Sequence, residues 1–401
     1  MSAPVNLSSI AAGTGGFVIY GQDVEDQSGW SIASAGDVNG DGFDDILIGA
    51  RFAAAAGNAK VNAGDSYLVF GKASGFAAVD LAGVAAGTGG FVIHGQDGGD
   101  RSGTSVSSAG DVNGDGFADL LIGAPYGDAA ANGKVNAGES YVLFGKASGF
   151  AASVDLTAVA GGSGGFVIHG QDLSDYSGWS VASAGDINGD GFDDLLIGAR
   201  GGDANANGKS MAGDSYLVFG KGSGFGASVE LTVIAAGTGG FVIHGQDAND
   251  VAGWSVASAG DVNGDGFDDL LIGTRSGDGA VNNSKSKAGD SYVVFGKASG
   301  FAASVDLAAV AGGTGGFVIW GVDRFDYSGT SVSSAGDING DGFDDLVIGA
   351  YQADSSGNGQ YNAGDAYVVF GKSTSFGASV DLTNIAAGAG GFVIYGQDIE
   401  D

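Results

Sequence analysis

A nine-residue acidic run occurs five times: DVNGDGFDD from Asp37, DVNGDGFAD from Asp111, DINGDGFDD from Asp186, DVNGDGFDD from Asp261 and DINGDGFDD from Asp337. With each first aspartate as position one, positions one, three, five and nine are Asp37, Asn39, Asp41 and Asp45 in the first copy. They are Asp111, Asn113, Asp115 and Asp119 in the second, Asp186, Asn188, Asp190 and Asp194 in the third. The fourth has Asp261, Asn263, Asp265 and Asp269, and the fifth Asp337, Asn339, Asp341 and Asp345. The carbonyls of Phe43, Phe117, Phe192, Phe267 and Phe343 stand at position seven. Hard oxygen donors on alternate residues of a tight loop suit Ca²⁺, which takes six to eight oxygens at about 2.3–2.6 Å. Position six is glycine in every copy, where such a loop turns sharply. We expect about five Ca²⁺ ions, one per repeat.

These loops start like an EF-hand and end differently. Position twelve, where a bidentate Glu belongs, is Ile48, Ile122, Ile197, Ile272 or Ile348, which excludes the helical EF-hand. Position eight is Asp in four copies but Ala118 in the second, whereas position nine is always Asp, so position nine is the better ligand. The competing reading is an Asx-rich turn that caps backbone amides without an ion. Four such donors clustered five times over, with no Lys or Arg inside any loop, favour the cation.

The loops recur after 74, 75, 75 and 76 residues, a period that fits a unit of several strands. In the first unit, Trp30 to Gly36 alternates small apolar and polar residues and reads as a crowded strand. Asp45 to Ala50 is apolar on both faces and reads as a buried one. Ser66 to Phe70 and Phe91 to His94 complete a set of four short strands. Little between them resembles a helix, so the expected fold is all-β, a β-propeller of four-stranded antiparallel blades. Five blades are encoded, approximately 27–96, 101–171, 176–246, 251–321 and 327–397 in one domain, with 1–26 an extra copy of the outer-strand segment. The alternative is part of a larger ring, for example one of seven blades.

Composition narrows the function. The formal charge of −32 argues against nucleic acid, which needs a basic footprint. Five Ca²⁺ would offset ten charges and leave about −22, still acidic enough to repel anionic membranes. The 81 glycines and 2 prolines suit many turns between paired strands, and the absence of cysteine excludes disulfides and thiolate metal sites. No apolar run reaches the length of a membrane-spanning helix, and Met1 to Asn6 lacks the basic and apolar regions of a secretory signal. The expectation is then either a mature or excised piece, or export by a signal elsewhere.

Ser28-Gly-Trp-Ser, the DxNxDGxxD loops, Ile122-Gly-Ala-Pro125 and Gly138-Glu-Ser-Tyr-Val-Leu-Phe144 together resemble the FG-GAP repeat of integrin α-subunit propellers and their bacterial relatives. The resemblance covers essentially the whole chain. It implies a propeller with Ca²⁺ in the loop joining the first two strands of each blade, held at the positions named above. GAP becomes GAR at Ala199-Arg200 and GTR at Gly273-Thr-Arg275, departures that touch packing and not the ligand positions.

The remaining candidates read as structural. His94, His169 and His244 share a slot with Tyr20, Trp320 and Tyr395. The pairs Asp23 and Asp26, Asp97 and Asp100, Asp172 and Asp175, Asp247 and Asp250, and Asp323 and Asp326 read as turn caps, the alternative being help in holding a further cation, and Asp65, Glu139, Asp214, Asp290 and Asp365 precede third strands. No unique constellation breaks the repeat, so no catalysis is expected. The expected role is adhesion, matrix or surface assembly in a secreted or cell-surface protein; the alternative is an accessory propeller of a secreted hydrolase. Partners would be a protein or glycan surface, or copies of the chain through its terminal strands, with no nucleic acid and no membrane insertion. The loops after the second strands, starting at Arg51, Pro125, Arg200, Arg275 and Tyr351, differ most and mark the expected partner face. Residues 6–23 recur almost unchanged as 381–398, leaving one surplus outer strand, expected to lie undocked or to complete a blade in a neighbouring molecule.

Overall fold

The computed structural model describes residues 6–54, 60–128, 133–203, 208–279, 285–354 and 362–398. Each repeat opens with a strand of small residues that turns through the acidic loop into an apolar strand. In the first blade these are Ser28–Gly36 and Asp45–Ala50, continued by Asp65–Val69 and Gly90–His94, each antiparallel to the one before. The second blade is Ser105–Gly110, Asp119–Ala124, Glu139–Leu143 and Gly165–His169, and the third Ser177–Gly185, Asp194–Ala199, Asp214–Val218 and Gly240–His244. Ala252–Gly260, Asp269–Thr274, Asp290–Val294 and Gly316–Trp320 form the fourth. Ser328–Gly336, Asp345–Ala350, Asp365–Val369 and Gly391–Tyr395 form the fifth.

The second strands are apolar on both faces, and in the second, third and fourth blades this is because the sheet is packed between two others. Leu120 and Ile122 join Leu47, Phe91 and Ile93 of the first blade, while Leu121 joins Val181, Leu195 and Tyr216 of the third. First strands of successive blades touch one another and lie innermost, with small Ser, Ala and Gly residues over most of their length.

Two features go beyond four-stranded blades. Blades one to four carry a fifth short strand, donated by the following repeat and parallel to the outer strand, as Ser153–Asp155 is to Gly90–His94. A one-turn helix then follows, such as Leu156–Ala160, whose Leu156 and Val159 are buried in the seam between blades. Its sequence signal is an aspartate at the N-cap: Asp80, Asp155, Asp306 and Asp381 each accept a hydrogen bond from the amide two residues on.

The surplus N-terminal strand is docked within its own chain, contrary to expectation. Ile19–Tyr20 runs parallel to Val79–Asp80 in the register that Ile93 and His94 keep with Val154 and Asp155. The edge of Val79–Asp80 needs a hydrogen-bonding partner, and this segment supplies it. Gln22 also accepts from the Tyr67 hydroxyl as Gln96 does from Tyr141. The N-terminal segment therefore holds the place of the outer strand of a blade preceding the first. Among the described residues no seam joins the fifth blade to the first: Ile32 is 66% exposed and Ile338 51% exposed, and the five blades form an open arc.

Candidate functional site

In every acidic loop the first aspartate folds back onto its own backbone. Asp37 Oδ1 accepts from the Asp41 amide at 3.0 Å and Oδ2 from the Gly42 amide at 2.8 Å. Asp111, Asp186, Asp261 and Asp337 make the same pair of bonds. Gly42 and its counterparts adopt φ between 87° and 91°, which sterics grant most readily to glycine. In the first, second and fifth loops the Asn at position three also accepts from the position-five amide, as Asn39 Oδ1 does from Asp41, and Asp41 Oδ1 accepts from the Phe43 amide, so that there the side chains at positions one, three and five all hold the turn. A carboxylate that accepts one amide keeps lone pairs for a second partner.

Position nine is different. Asp45 begins the second strand, is buried, and accepts from the Gly71 amide at 2.8 Å and the Val38 amide at 3.2 Å. Asp119, Asp269 and Asp345 repeat both bonds. Asp194 keeps the Gly220 bond, and its Oδ2 is buried without a hydrogen-bond partner. Burial raises the Asp45 carboxyl to about 6 and those of Asp119, Asp194 and Asp269 to about 8; the amides oppose this and the aspartates at positions five and one add to it. A buried acid facing two like charges is a place where a cation would restore the ionised form. Among the described residues no three His, Cys, Asp or Glu side chains converge closely enough to hold a metal ion by themselves. The donor set fits a hard cation as a mixed one, with the Asn oxygen and the position-seven carbonyl beside the carboxylates.

Position eight, set aside as a ligand, has its own function. Asp193 Oδ2 accepts from the Asp111 amide of the preceding loop at 2.7 Å, and Asp268 and Asp344 do the same to Asp186 and Asp261 at 2.9 Å. Ala118 cannot, and there only its backbone bond to the Asp37 carbonyl remains. The position-seven phenyl rings of the second to fifth loops also cover the preceding loop, so that a Cβ on Gly40 would lie 2.5 Å from the Phe117 ring. The loops thus form a continuous rail along one face of the arc.

On the opposite face, His94 meets Asp65 Oδ1 at 3.2 Å, His169 meets Glu139 Oε1 at 3.1 Å and His244 meets Asp214 Oδ1 at 2.9 Å. Burial opposes charge on His169, but the Glu139 carboxylate outweighs it and its pKa is raised. The second acidic pattern contains turn caps: the Asp172 amide donates to Asp175 Oδ2 and the Asp323 amide to Asp326 Oδ2, both at 3.0 Å. Burial, followed by neighbouring carboxylates, raises Asp100, Asp175 and Asp326 to about 7 and Asp250 to about 8. Arg51, Tyr126, Arg200, Arg275 and Tyr351 lie at the ends of the second strands on this face. The tips of the variable loops, 55–59, 129–132, 204–207, 280–284 and 355–361, fall outside the described residues.

Antiparallel blades that each carry an acidic loop in their first hairpin define a repeat-built β-propeller. The FG-GAP repeat model matches residues 28–69, 102–143, 177–218, 252–294 and 328–369, just over half of the chain, and the chain belongs to that family. It is similar to phosphatidylinositol-glycan-specific phospholipase D of Bos taurus, 30% identical over 209 residues, 52% of this chain and 22% of that protein. It is 32% identical to integrin alpha-PS5 of Drosophila melanogaster over 198 residues and 29% identical to integrin alpha-5 of Xenopus laevis over 189, in both cases 47% of this chain and 16% of the relative. The chain therefore spans about a fifth of the length of these relatives. Among the described residues no helix is long and apolar enough to cross a membrane.

Proposed function

We propose that the chain is a non-enzymatic, Ca²⁺-stabilised propeller segment of a secreted or cell-surface protein, presenting a recognition face for adhesion, matrix or surface assembly. The buried position-nine aspartate is the observation that carries the calcium reading, since its carboxyl accepts backbone amides at the base of the loop and feels the charge of two further aspartates of that loop, with no basic side chain among them. Asp, Asn, Asp and Asp of each loop, with the Phe carbonyl, would hold the ion. Bound there, it supplies charge neutralisation and ties the first strand to the second. The Asx turns supply the geometry beforehand, and the position-eight aspartates carry it from loop to loop. Recognition belongs to the opposite face, where the loops vary.

Chelation tests this reading. One site adds about 2.7 kcal/mol at a free ion concentration a hundred times Kd, so metal-depleted protein should melt well below the calcium-loaded form and recover on Ca²⁺ addition. An unchanged melting curve would contradict it. The similarity to a phospholipase D favours one second reading, an accessory propeller of a hydrolase, with the catalytic groups in another part of that protein.

A further inference from the structure

The chain has five arginines against 47 acidic residues, and four of the five meet on the variable-loop face. Arg51 lies 3.1 Å from the centre of the Trp30 ring, and Arg101 bridges Phe52 and Tyr126 at 5.0 and 4.3 Å. Arg200 sits 3.7 Å over Trp179 and reaches Trp254 at 5.4 Å. Arg275 lies 4.6 Å from Trp254 and donates to the Tyr351 hydroxyl at 2.7 Å. Rings and guanidinium groups therefore run from the first blade to the fifth. None of these arginines has a carboxylate partner: the ion pairs among the described residues involve lysines and histidines alone. Nε of both Arg200 and Arg275 is buried without a hydrogen-bond partner.

Arg51 Nε donates to Gln27 Oε1 at 2.9 Å and Arg275 Nη2 to the Tyr351 hydroxyl, so it is the remaining N–H groups of the stacked guanidiniums that lie in the plane where they suit a carboxylate. We propose that this stack docks an acidic segment of a partner protein, its Asp or Glu carboxylates on the arginine forks and its apolar atoms against the exposed rings of Trp30 and Tyr351. Trp, Tyr and Arg are the residues that dominate binding energy at protein interfaces, which favours a peptide over a lone anion. The overall charge of −32 limits the ligand to a short acidic stretch, because a long polyanion would be repelled beyond the stack. Burial and the neighbouring cations depress the pKa of Arg51 and Arg200, a cost that an incoming carboxylate offsets. The inference rests on the variable-loop face being the recognition face.

A fluorescent peptide of alternating Glu and Gly, titrated into the calcium-loaded chain at low salt, is the probe. Saturable binding is expected. It should weaken about tenfold or more in Arg200→Gln with Arg275→Gln, weaken also in Arg200→Lys, which keeps the charge but loses the fork, and stay unchanged in Arg324→Gln. Melting curves of the variants establish that they are folded. The proposal is overturned if the folded chain does not bind the peptide, if the arginine variants bind it as well as the parent, or if an oligogalacturonate binds through these arginines and the peptide does not. If binding is instead lost in Lys146→Gln with Lys221→Gln, on the acidic-loop side, the assignment of the recognition face itself fails.

Discussion

The seams between blades and the two ends of the arc are built from the same residues in opposite surroundings. Phe91, Phe166, Phe241 and Phe317 are buried in the four seams, as are Ile93, Ile168, Ile243 and Ile319. Their counterparts Phe392 and Ile394 on the fifth blade are exposed, Ile394 by 54%. At the other end, Ile32 is exposed where Val106, Val181, Val256 and Val332 are buried, and the N-terminal segment covers that face only partly. Leu7, Ile10, Phe17, Ile32 and Leu81 line a groove there of about 430 Å³. A blade face is thus complete only against the next blade, and each end face has the chemistry of a seam without the neighbour.

The largest difference should come from the aromatic at the seam. Phe241 stacks on Phe301 with ring centroids 5.0 Å apart, and Phe241→Ala should cost about 3–5 kcal/mol in denaturant unfolding. Phe392→Ala should cost about 1 kcal/mol or less. Equal losses would mean that the fifth blade's face is covered in solution.

A second contrast is in pH. The folded Asp175 carboxyl, at about 7, holds its proton more tightly than the unfolded chain does. Its contribution is therefore fully present below the ordinary carboxylate range and lost as pH rises through about 7. Asp175→Asn keeps the acceptor for the Asp172 amide and should raise stability at pH 8 by on the order of 2 kcal/mol while changing little near pH 4. Half-buried Asp26, in the first blade, should show a smaller gain in the same measurement. A destabilised Asp175→Asn at pH 8 would contradict the assignment.

The ties between loops make the smallest contrast. Asp193→Ala removes the bond to the Asp111 amide and should cost about 1–2 kcal/mol. Asp44, exposed and with no preceding acidic loop to bond, should tolerate alanine within about 0.5 kcal/mol. Similar costs at both positions would show that position eight acts within its own loop.

How much of this was legible in the sequence depended on repetition. Five copies of Asp, Asn, Asp, Gly and Asp at fixed spacing announced the strand order and the acidic loop, and Ala118 alone separated position eight from position nine. The one-turn helices escaped because five residues bury only two side chains, too few for a helical period. The end faces escaped because Phe392 and Phe317 are the same residue in the same motif, and exposure depends on a neighbour the local sequence does not describe. The arginine stack escaped for a third reason. Arg51 follows a second strand whereas Arg101 precedes a first strand, so only the fold brings them to one surface.

The acidic loops remain the centre of the account, and uptake of the proposed ion tests them most directly. Isothermal titration of metal-depleted protein with Ca²⁺ should saturate at about five ions per chain, and Asp269→Asn, which neutralises the buried position-nine carboxyl of the fourth loop, should lower that number by one. No uptake, or a stoichiometry unaffected by Asp269→Asn, would contradict it.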